Sequence, residues 1–379
     1  MTSFKMRTAQ IIFILLILFC TILKVCAGDE VRVAIMQDAS SLNIKIAGSY
    51  EIDDSGYKLL MRGRDLKSTV TSYKGGILIA GRNFNTGKIL LKAKSSDIIV
   101  INGRTFKGDI QLIRSNAARL TVVNRIGLED YVKGILYHEA SHYWPMEALK
   151  AQAVISRTYV IYQMQKNSFR DFDVTGDIYS QVYGGKTSER ERTNKAVDET
   201  RGEIIVYQGK VIPAYFHATC AGSTEDASVL WNINLPPLKG VPCGFCKDSP
   251  HFNWHYVAAL AEIREKLTEA GQKTGNIKNI IILGKDRSGR ITDLKIITAQ
   301  KDLKISAKNL RNIMGPNIIR STNFNVSVVD KDAVFEGLGW GHGVGLCQWG
   351  AYFMAKQGKT SREILKYYYP GTDVKTNGF

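Results

Sequence analysis

Glu139 closes the run LEDYVKGILYHE, in a setting where a carboxyl could do acid chemistry. Leu128, Tyr131, Val132, Ile135 and Leu136 recur at helical spacing, and Glu139 lies one turn beyond Ile135 on the same stripe. The helix must end near it, ahead of Pro145, which suits the first position of a second helix. Partial burial and the partial negative charge of a helix C-terminus both disfavour a carboxylate there. A carboxyl kept protonated near neutrality is suited to general-acid catalysis. The same position also suits a surface glutamate beside a turn. Glu129, Asp130 and Glu147 lie in first turns of helices, where the dipole alone favours acidic residues. No second carboxyl stands out in a comparable setting.

His217, Cys220, Cys243, Cys246, His251 and His255 supply enough ligands for a tetrahedral zinc ion. Cys243-Gly-Phe-Cys246 has knuckle spacing, Cys220 offers a third thiolate, and His217 or His251 a fourth ligand. Such a site is closed and structural, because three thiolates leave little Lewis acidity. The same cysteines also suit a disulfide from Cys220 to Cys243 or Cys246 in an oxidising compartment.

Near the C-terminus, Gly337, Gly339, Gly341, Gly343 and Gly345 alternate with other residues before a helical run. Alternating glycines let backbone approach a neighbouring strand or a ligand. The spacing lacks the last glycine of a dinucleotide fingerprint and the Gly-Lys-Ser/Thr ending of a phosphate loop, so both nucleotide classes are excluded. Trp340 and Trp349 flank the turn, with His342 and Gln348 as its polar groups. Aromatic faces beside hydrogen-bonding groups suit sugar rings, and they suit a packed turn equally well. Cys347, five residues after His342, admits a thiol-nucleophile reading, but a buried cysteine commonly acts as a small apolar residue.

The elements that must position these residues read as α+β: central helices packed on antiparallel sheets, with a small N-terminal β-rich module. Short alternating runs such as VRVAI, LNIKI, GILIAG and IIVING fill residues 28–115, with Asn102-Gly103 the clearest turn. RLTVVNRI leads as a strand into two amphipathic helices. Beyond them come a polar loop with Asp177, Gln181 and Tyr183, a solvated helix over Thr187–Thr200, and a hairpin turning at Gln208-Gly209. A helix over Val257–Ala270, a hairpin turning at DRSGR and a short helix capped by Ser306 follow. Thr360 and Glu363 form a capping box for a last helix ending before Pro370-Gly371.

The 379 residues allow two domains. Residues 1–27 read as an export signal: Lys5 and Arg7, the run IIFILLILFCTIL, then KVCA before Gly28. The apolar run is short against the roughly 20 residues of a membrane span, which favours cleavage over anchoring. Membrane contact is then expected only through that segment if it is retained. The formal net charge is +16, and residues 1–27 hold three basic residues and no acid, leaving +13 beyond them. Such a charge favours an anionic partner.

Four separated stretches make the chain similar to a known family. They are LEDYVKGILYHE with WPMEALKAQAVISRTY, QVYGG (Gln181 to Gly185), HATC (His217 to Cys220) with Thr224, and GWGHGVGLCQWGA (Gly339 to Ala351) followed by YYYPGT. On these the chain resembles the SpoIID/LytB family, named for stage II sporulation protein D and the amidase enhancer. The resemblance covers nearly all of residues 120–375 and makes 116–379 the expected catalytic domain. It implies an exported, envelope-located lytic transglycosylase that cleaves peptidoglycan glycan strands, with Glu139 as its acid/base. Arg157, Gln181, Tyr183, Thr219, Trp340, His342 and Gln348 are the substrate-binding or supporting candidates. The other expected partner is a cell-wall amidase, and no nucleic acid is expected. The alternative implied role is a non-catalytic wall-binding enhancer of such an amidase. No cofactor is expected for catalysis; a structural zinc on Cys220, Cys243, Cys246 and His217, or a disulfide in its place, remains open. Family members that bind metal use His and Cys before QVY, and residues 167–180 contain neither.

Overall fold

The computed structural model describes residues 30–115, 118–177 and 180–376, so the expected export signal over residues 1–27 lies outside the described residues. Two compact units divide the chain. Of the described residues, the first draws on those within 30–131 and 167–187, the second on 132–166 and 188–376.

In the first unit, alternation of apolar and polar residues builds one sheet. Its strands are β1 (Glu30–Ala39), β2 (Ser41–Asp54), β3 (Leu59–Tyr73), β4 (Gly76–Ile79), β5 (Arg82–Phe84), β6 (Lys88–Ala93), β7 (Ile98–Ile101), β8 (Arg104–Lys107), β9 (Asp109–Arg114), β10 (Leu120–Gly127) and β11 (Val174–Thr175). The order is β11-β1-β10-β9-β6-β2-β3-β4-β5, with the β7-β8 hairpin attached to β2. Leu42, Ile44 and Ile46 are buried while their neighbours in β2 face out. Asn102 and Gly103 turn the β7-β8 hairpin, both at positive φ. The loop after residue 166 joins this sheet because β11 pairs parallel with β1 and because Arg32 grips Asp173 with its backbone N–H (2.8 Å) and its guanidinium (2.6 Å).

Helix α1 (Leu128–Glu139) starts in the first unit and ends in the second. Helix α2 (Met146–Lys166) differs from the amphipathic expectation: Ala148, Leu149 and every residue from Ala151 to Ile161 are buried. A helix buried all round must satisfy its polar side chains internally, and this one does. Thr158 Oγ1 donates to Val154 O (2.7 Å) and accepts from Ile205 N (3.0 Å). Helix α3 (Glu191–Glu199) is shorter than the solvated helix expected and buries Thr193, Ala196 and Val197. The Glu203–Tyr207 strand then turns at Gln208-Gly209, both at positive φ, and pairs with Lys210–Val211 and with Asp373–Thr376.

Helix α4 (Ala227–Trp231) is capped by Asp226. The segment expected to be helical from Val257 is instead a strand, Asn253–Ala259, and α5 begins only at Leu260 (Leu260–Glu269). Trp254 and Ala258 are the buried positions of this strand, and its whole length pairs with Asp332–Leu338, so pairing decides against the helix. Ser306 caps α6 (Ala307–Met314), as expected. Trp254, Ile263, Leu294, Leu310, Phe324 and Phe335 make one core of this region. Helices α7 (Gln348–Lys356) and α8 (Ser361–Tyr368) pack with α2 around Val154, Ile155, Ile205, Leu346, Met354 and Leu365. The capping box of Thr360 and Glu363 is formed. Among the described residues no helix is long and apolar enough to cross a membrane.

Candidate functional site

Helix α1 ends at Glu139, which is half-buried. The last carbonyls of a helix have no partner within it. Here the Glu139 carbonyl accepts a hydrogen bond from Gln348 Nε2 (2.9 Å), a side chain 209 residues further along. Gln348 Nε2 also donates to Gln152 Oε1 (3.2 Å), and Gln152 Nε2 donates to Ser156 Oγ (3.2 Å). Gln348, Gln152 and Ser156 are all buried. A closed amide network thus fixes the peptide that carries the Glu139 carboxyl. The preceding residue is held too, with His138 Nε2 2.6 Å from Ser188 Oγ.

Half-buried rings surround this helix junction. Trp144, in the break between α1 and α2, lies with its centroid 5.2 Å from Trp349 and 5.3 Å from Tyr352. Trp349 is in turn 6.1 Å from His251, and His251 is 4.8 Å from Trp340, against which Arg320 stacks at 4.9 Å. Thr219 braces Trp340 through paired backbone hydrogen bonds (3.0 and 2.9 Å), and its buried hydroxyl meets Ser249 Oγ at 2.9 Å. The row offers several aromatic faces next to polar edges.

The remaining candidates are placed differently. His342 Nδ1 accepts the Val344 N–H (3.0 Å), so the ring carries its proton at Nε2. Burial, followed by the Arg311 and Arg290 charges, pushes its pKa down to about 3, so it is a neutral ring at physiological pH. It packs against Trp231 and His217. Arg157 is fully buried and donates to Glu203 O (2.9 Å) and Val197 O (3.4 Å), tying α2 to the Glu203–Tyr207 strand and α3. Gln181 and Tyr183 belong to the first unit. There Gln181 Oε1 accepts from Tyr131 Oη (2.9 Å), Tyr183 Oη donates to Asn124 Oδ1 (2.6 Å), and both residues are buried.

The alternating glycines answer to a neighbouring strand. A Cβ on Gly345 would lie 1.9 Å from Tyr215 O, and one on Gly339 2.5 Å from Thr219 O, both at positive φ. The glycine turn therefore closes on the segment that carries His217 to Cys220.

That closure delivers a residue not expected as a ligand. Cys220, Cys243, Cys246 and Cys347 are all buried free thiols, their sulfurs all within 4.8 Å of one another. His217, expected as the fourth ligand, is outside this group: its Nδ1 faces Val344 O (3.2 Å) and its Nε2 is buried without a hydrogen-bond partner. Burial, then the His342 and Arg290 interactions, hold it well below the ordinary histidine range. Four convergent sulfurs match a closed tetrahedral metal site and leave no open coordination position.

A buried carboxyl also emerges in the second unit. Glu225 is pushed up to about 7, chiefly by burial and then by contact with the Asp286 carboxyl. Its Oε1 accepts the Asp226 N–H (2.7 Å) and its Oε2 the Ser288 hydroxyl (2.8 Å).

Three sets of functional candidates escaped the sequence reading. Gln152 carried a usable signal, four residues before Ser156 in an otherwise apolar stretch of α2. Cys347 carried one in being the fourth cysteine beyond residue 27. Trp144 and Tyr352 carried none, since their meeting depends on how α7 packs.

Comparison with known proteins gives the family. Residues 116–207, which include α1 and α2, match the SpoIID family, described as stage II sporulation protein. Residues 243–345 match a domain of unknown function, DUF8618. An uncharacterized protein of Brachyspira hyodysenteriae is 35% identical over 91% of this chain and 92% of its own length. The amidase enhancer of Bacillus subtilis is 27% identical over 88% of this chain, which spans about half of that longer protein (53%). The stage II sporulation protein D of Bacillus subtilis is 31% identical over 66% of this chain and 75% of its own length. With Glu139 and its supporting helices inside the matched region, and a relative of that identity covered over three quarters of its length, the chain belongs to the SpoIID family.

Proposed function

We propose that this chain is an exported peptidoglycan lytic transglycosylase that cleaves the MurNAc-GlcNAc β-1,4 bond and leaves 1,6-anhydroMurNAc ends. Family membership and relatives named for sporulation and for enhancing an amidase support a cell-wall role. The observation that carries the finer reading is the end of α1, where Glu139 has its peptide anchored by Gln348 beside a row of aromatic rings. A glycosidase that uses water usually needs two carboxyls, one as acid and one as base or nucleophile. A lytic transglycosylase needs one. Glu139 would protonate the glycosidic oxygen, and the resulting carboxylate would take the proton from the sugar's own C6 hydroxyl as that oxygen closes on C1. Holding the hydroxyl within the same sugar supplies the effective concentration that a free water lacks.

A second reading has its own support: the amidase enhancer relative matches 88% of this chain, which suits a wall-binding enhancer of an amidase. Digestion of purified glycan strands, with products weighed by mass spectrometry, separates the two. The expected result is anhydro products from the native protein, and none from Glu139→Gln with its fold and glycan binding retained. Products about 18 Da heavier, with reducing ends, would mean hydrolysis. An unreactive native protein that still binds glycan would favour the enhancer.

A further inference from the structure

We infer that Cys220, Cys243, Cys246 and Cys347 together bind one zinc ion as a closed tetrathiolate site, and that this ion fixes the start of α7 and thereby Gln348. Four distant points of the sequence converge here. Cys220 follows the Phe216–His217 strand, Cys243 ends the Pro242–Cys243 strand, Cys246 lies in the short turn after it, and Cys347 is the N-cap of α7. Four ligands about 2.3 Å from a tetrahedral zinc stand about 3.8 Å from one another. The observed sulfurs lie within 4.8 Å, with Cys220 and Cys246 at 3.5 Å, so only a small contraction closes the site.

The surroundings suit thiolates. Cys347 Sγ accepts N–H groups from Cys220 and Gly350, both at 3.3 Å. Tyr368 Oη is 3.1 Å from Cys243 Sγ. The Arg290 guanidinium, itself buried, donates to Cys220 O at 2.8 Å and brings a positive charge to the site's edge. Such groups offset the negative charge that four thiolates leave on one dication. On binding, the thiol protons pass to solvent and four sulfur–zinc bonds form, with no change of oxidation state. A disulfide would use two of the sulfurs and leave the convergence of the other two without a purpose.

A mechanical link follows from chain order. Cys347 and Gln348 are adjacent, Cys347 caps α7, and Gln348 holds the Glu139 carbonyl. Zinc at Cys347 would therefore brace the Glu139 peptide through one intervening side chain. This link is independent of what reaction Glu139 performs.

The test uses the full chain purified without chelator. Metal analysis should return about one zinc per chain, and replacement by cobalt should give an intense thiolate-to-cobalt charge-transfer band. His217→Gln should keep the full zinc content, while Cys347→Ser should lower it or, if the variant folds, change the cobalt spectrum. Stripping zinc should speed amide hydrogen exchange about tenfold or more in the segments over Cys347–Gly350 and Glu139–Ala140. Native protein with no metal and with Cys220, Cys243, Cys246 and Cys347 all open to thiol labelling would overturn the assignment, as would a disulfide between any two of these four found by peptide mapping before reduction. Loss of zinc in His217→Gln would return the fourth ligand to histidine. If Cys347→Ser does not fold, native stoichiometry, the cobalt spectrum and His217→Gln still decide. Unchanged exchange around Glu139 after zinc removal would refute the brace alone.

Discussion

Replacing Gln348 by methionine tests whether the Glu139 peptide is held or merely adjacent. Methionine keeps the length of the side chain and removes its amide, so packing changes little. Two contacts disappear: the donor to Glu139 O at 2.9 Å and the donor to Gln152 Oε1 at 3.2 Å. Gln152 is buried, so its oxygen is left without this partner, which costs about 1–3 kcal/mol. The Glu139 carbonyl lies at a half-buried helix end where water can replace the lost donor, and adds about 0.5–1 kcal/mol. The expected loss is therefore about 2–3 kcal/mol, read from urea unfolding at unchanged slope. Changing Gln152 to methionine as well removes the orphaned acceptor, so the double variant should lose less than the two single losses together, with a coupling of about 1 kcal/mol. The rate on glycan strands should fall by more than stability accounts for, on the order of a hundredfold, because a shift of about 1 Å in a reacting group can cost that much. A stable variant at full rate would refute the anchoring argument. Additive losses in the cycle would refute the network.

Two further outcomes follow from other parts of the second unit. Glu225 has a folded pKa raised to about 7 against an unfolded value near 4.5, so the folded state holds its proton more tightly. Its contribution is present below about pH 4.5 and is lost as pH rises toward 7, with an upper size of about 3 kcal/mol. Unfolding free energies of the native protein and Glu225→Gln, taken from pH 4.5 to 7.5, should diverge in that sense, and parallel curves would exclude it. Gly350→Ala would place a Cβ 1.9 Å from Tyr368 Oη and 3.0 Å from Cys243 Sγ, in a buried pocket. It should cost about 3 kcal/mol or more, seen as a lowered Tm, and a neutral result would mean that the Tyr368 ring can move aside.

What the sequence made legible was what depends on local pattern. The Asn102-Gly103 turn, the Gln208-Gly209 hairpin, the Ser306 cap and the Thr360–Glu363 box all rest on short-range chemistry and formed as expected. Val257 was misassigned because an alternating strand and the start of a helix look alike over a few residues, and only pairing with Asp332–Leu338 decides. The periodicity of α2 suggested an exposed face, but its polar residues are spent on buried hydrogen bonds, a distinction that composition cannot make. Within the site, Glu139 was visible from its own helix, whereas the anchor on its carbonyl joins residues 209 positions apart. Cys347 was set aside as a small apolar residue because nothing local tells a packed thiol from a ligand.

Glu225 bears most directly on the proposed single-carboxyl chemistry, since the sequence suggested no comparable second carboxyl and the second unit contains a buried one. Its surroundings explain it as part of the scaffold. Both oxygens are engaged, one by the Asp226 N–H and the other by the Ser288 hydroxyl, and its own N–H donates to Gly343 O at 2.9 Å. Ser288 and Arg290 come from the Asp286–Arg290 turn, and Arg290 reaches on to Ser223 O and Cys220 O. Glu225 thus joins that turn to the glycine loop and to the cysteine group, and it is 2% exposed. To act on a glycan it would have to abandon two hydrogen bonds and open the turn, at a cost of several kcal/mol. A carboxyl raised to about 7 is often a catalytic signal. Here burial and the neighbouring Asp286 carboxyl account for the shift without any substrate, so Glu225 gives no reason to move the proposed acid/base role from the half-buried Glu139 at its anchored helix end.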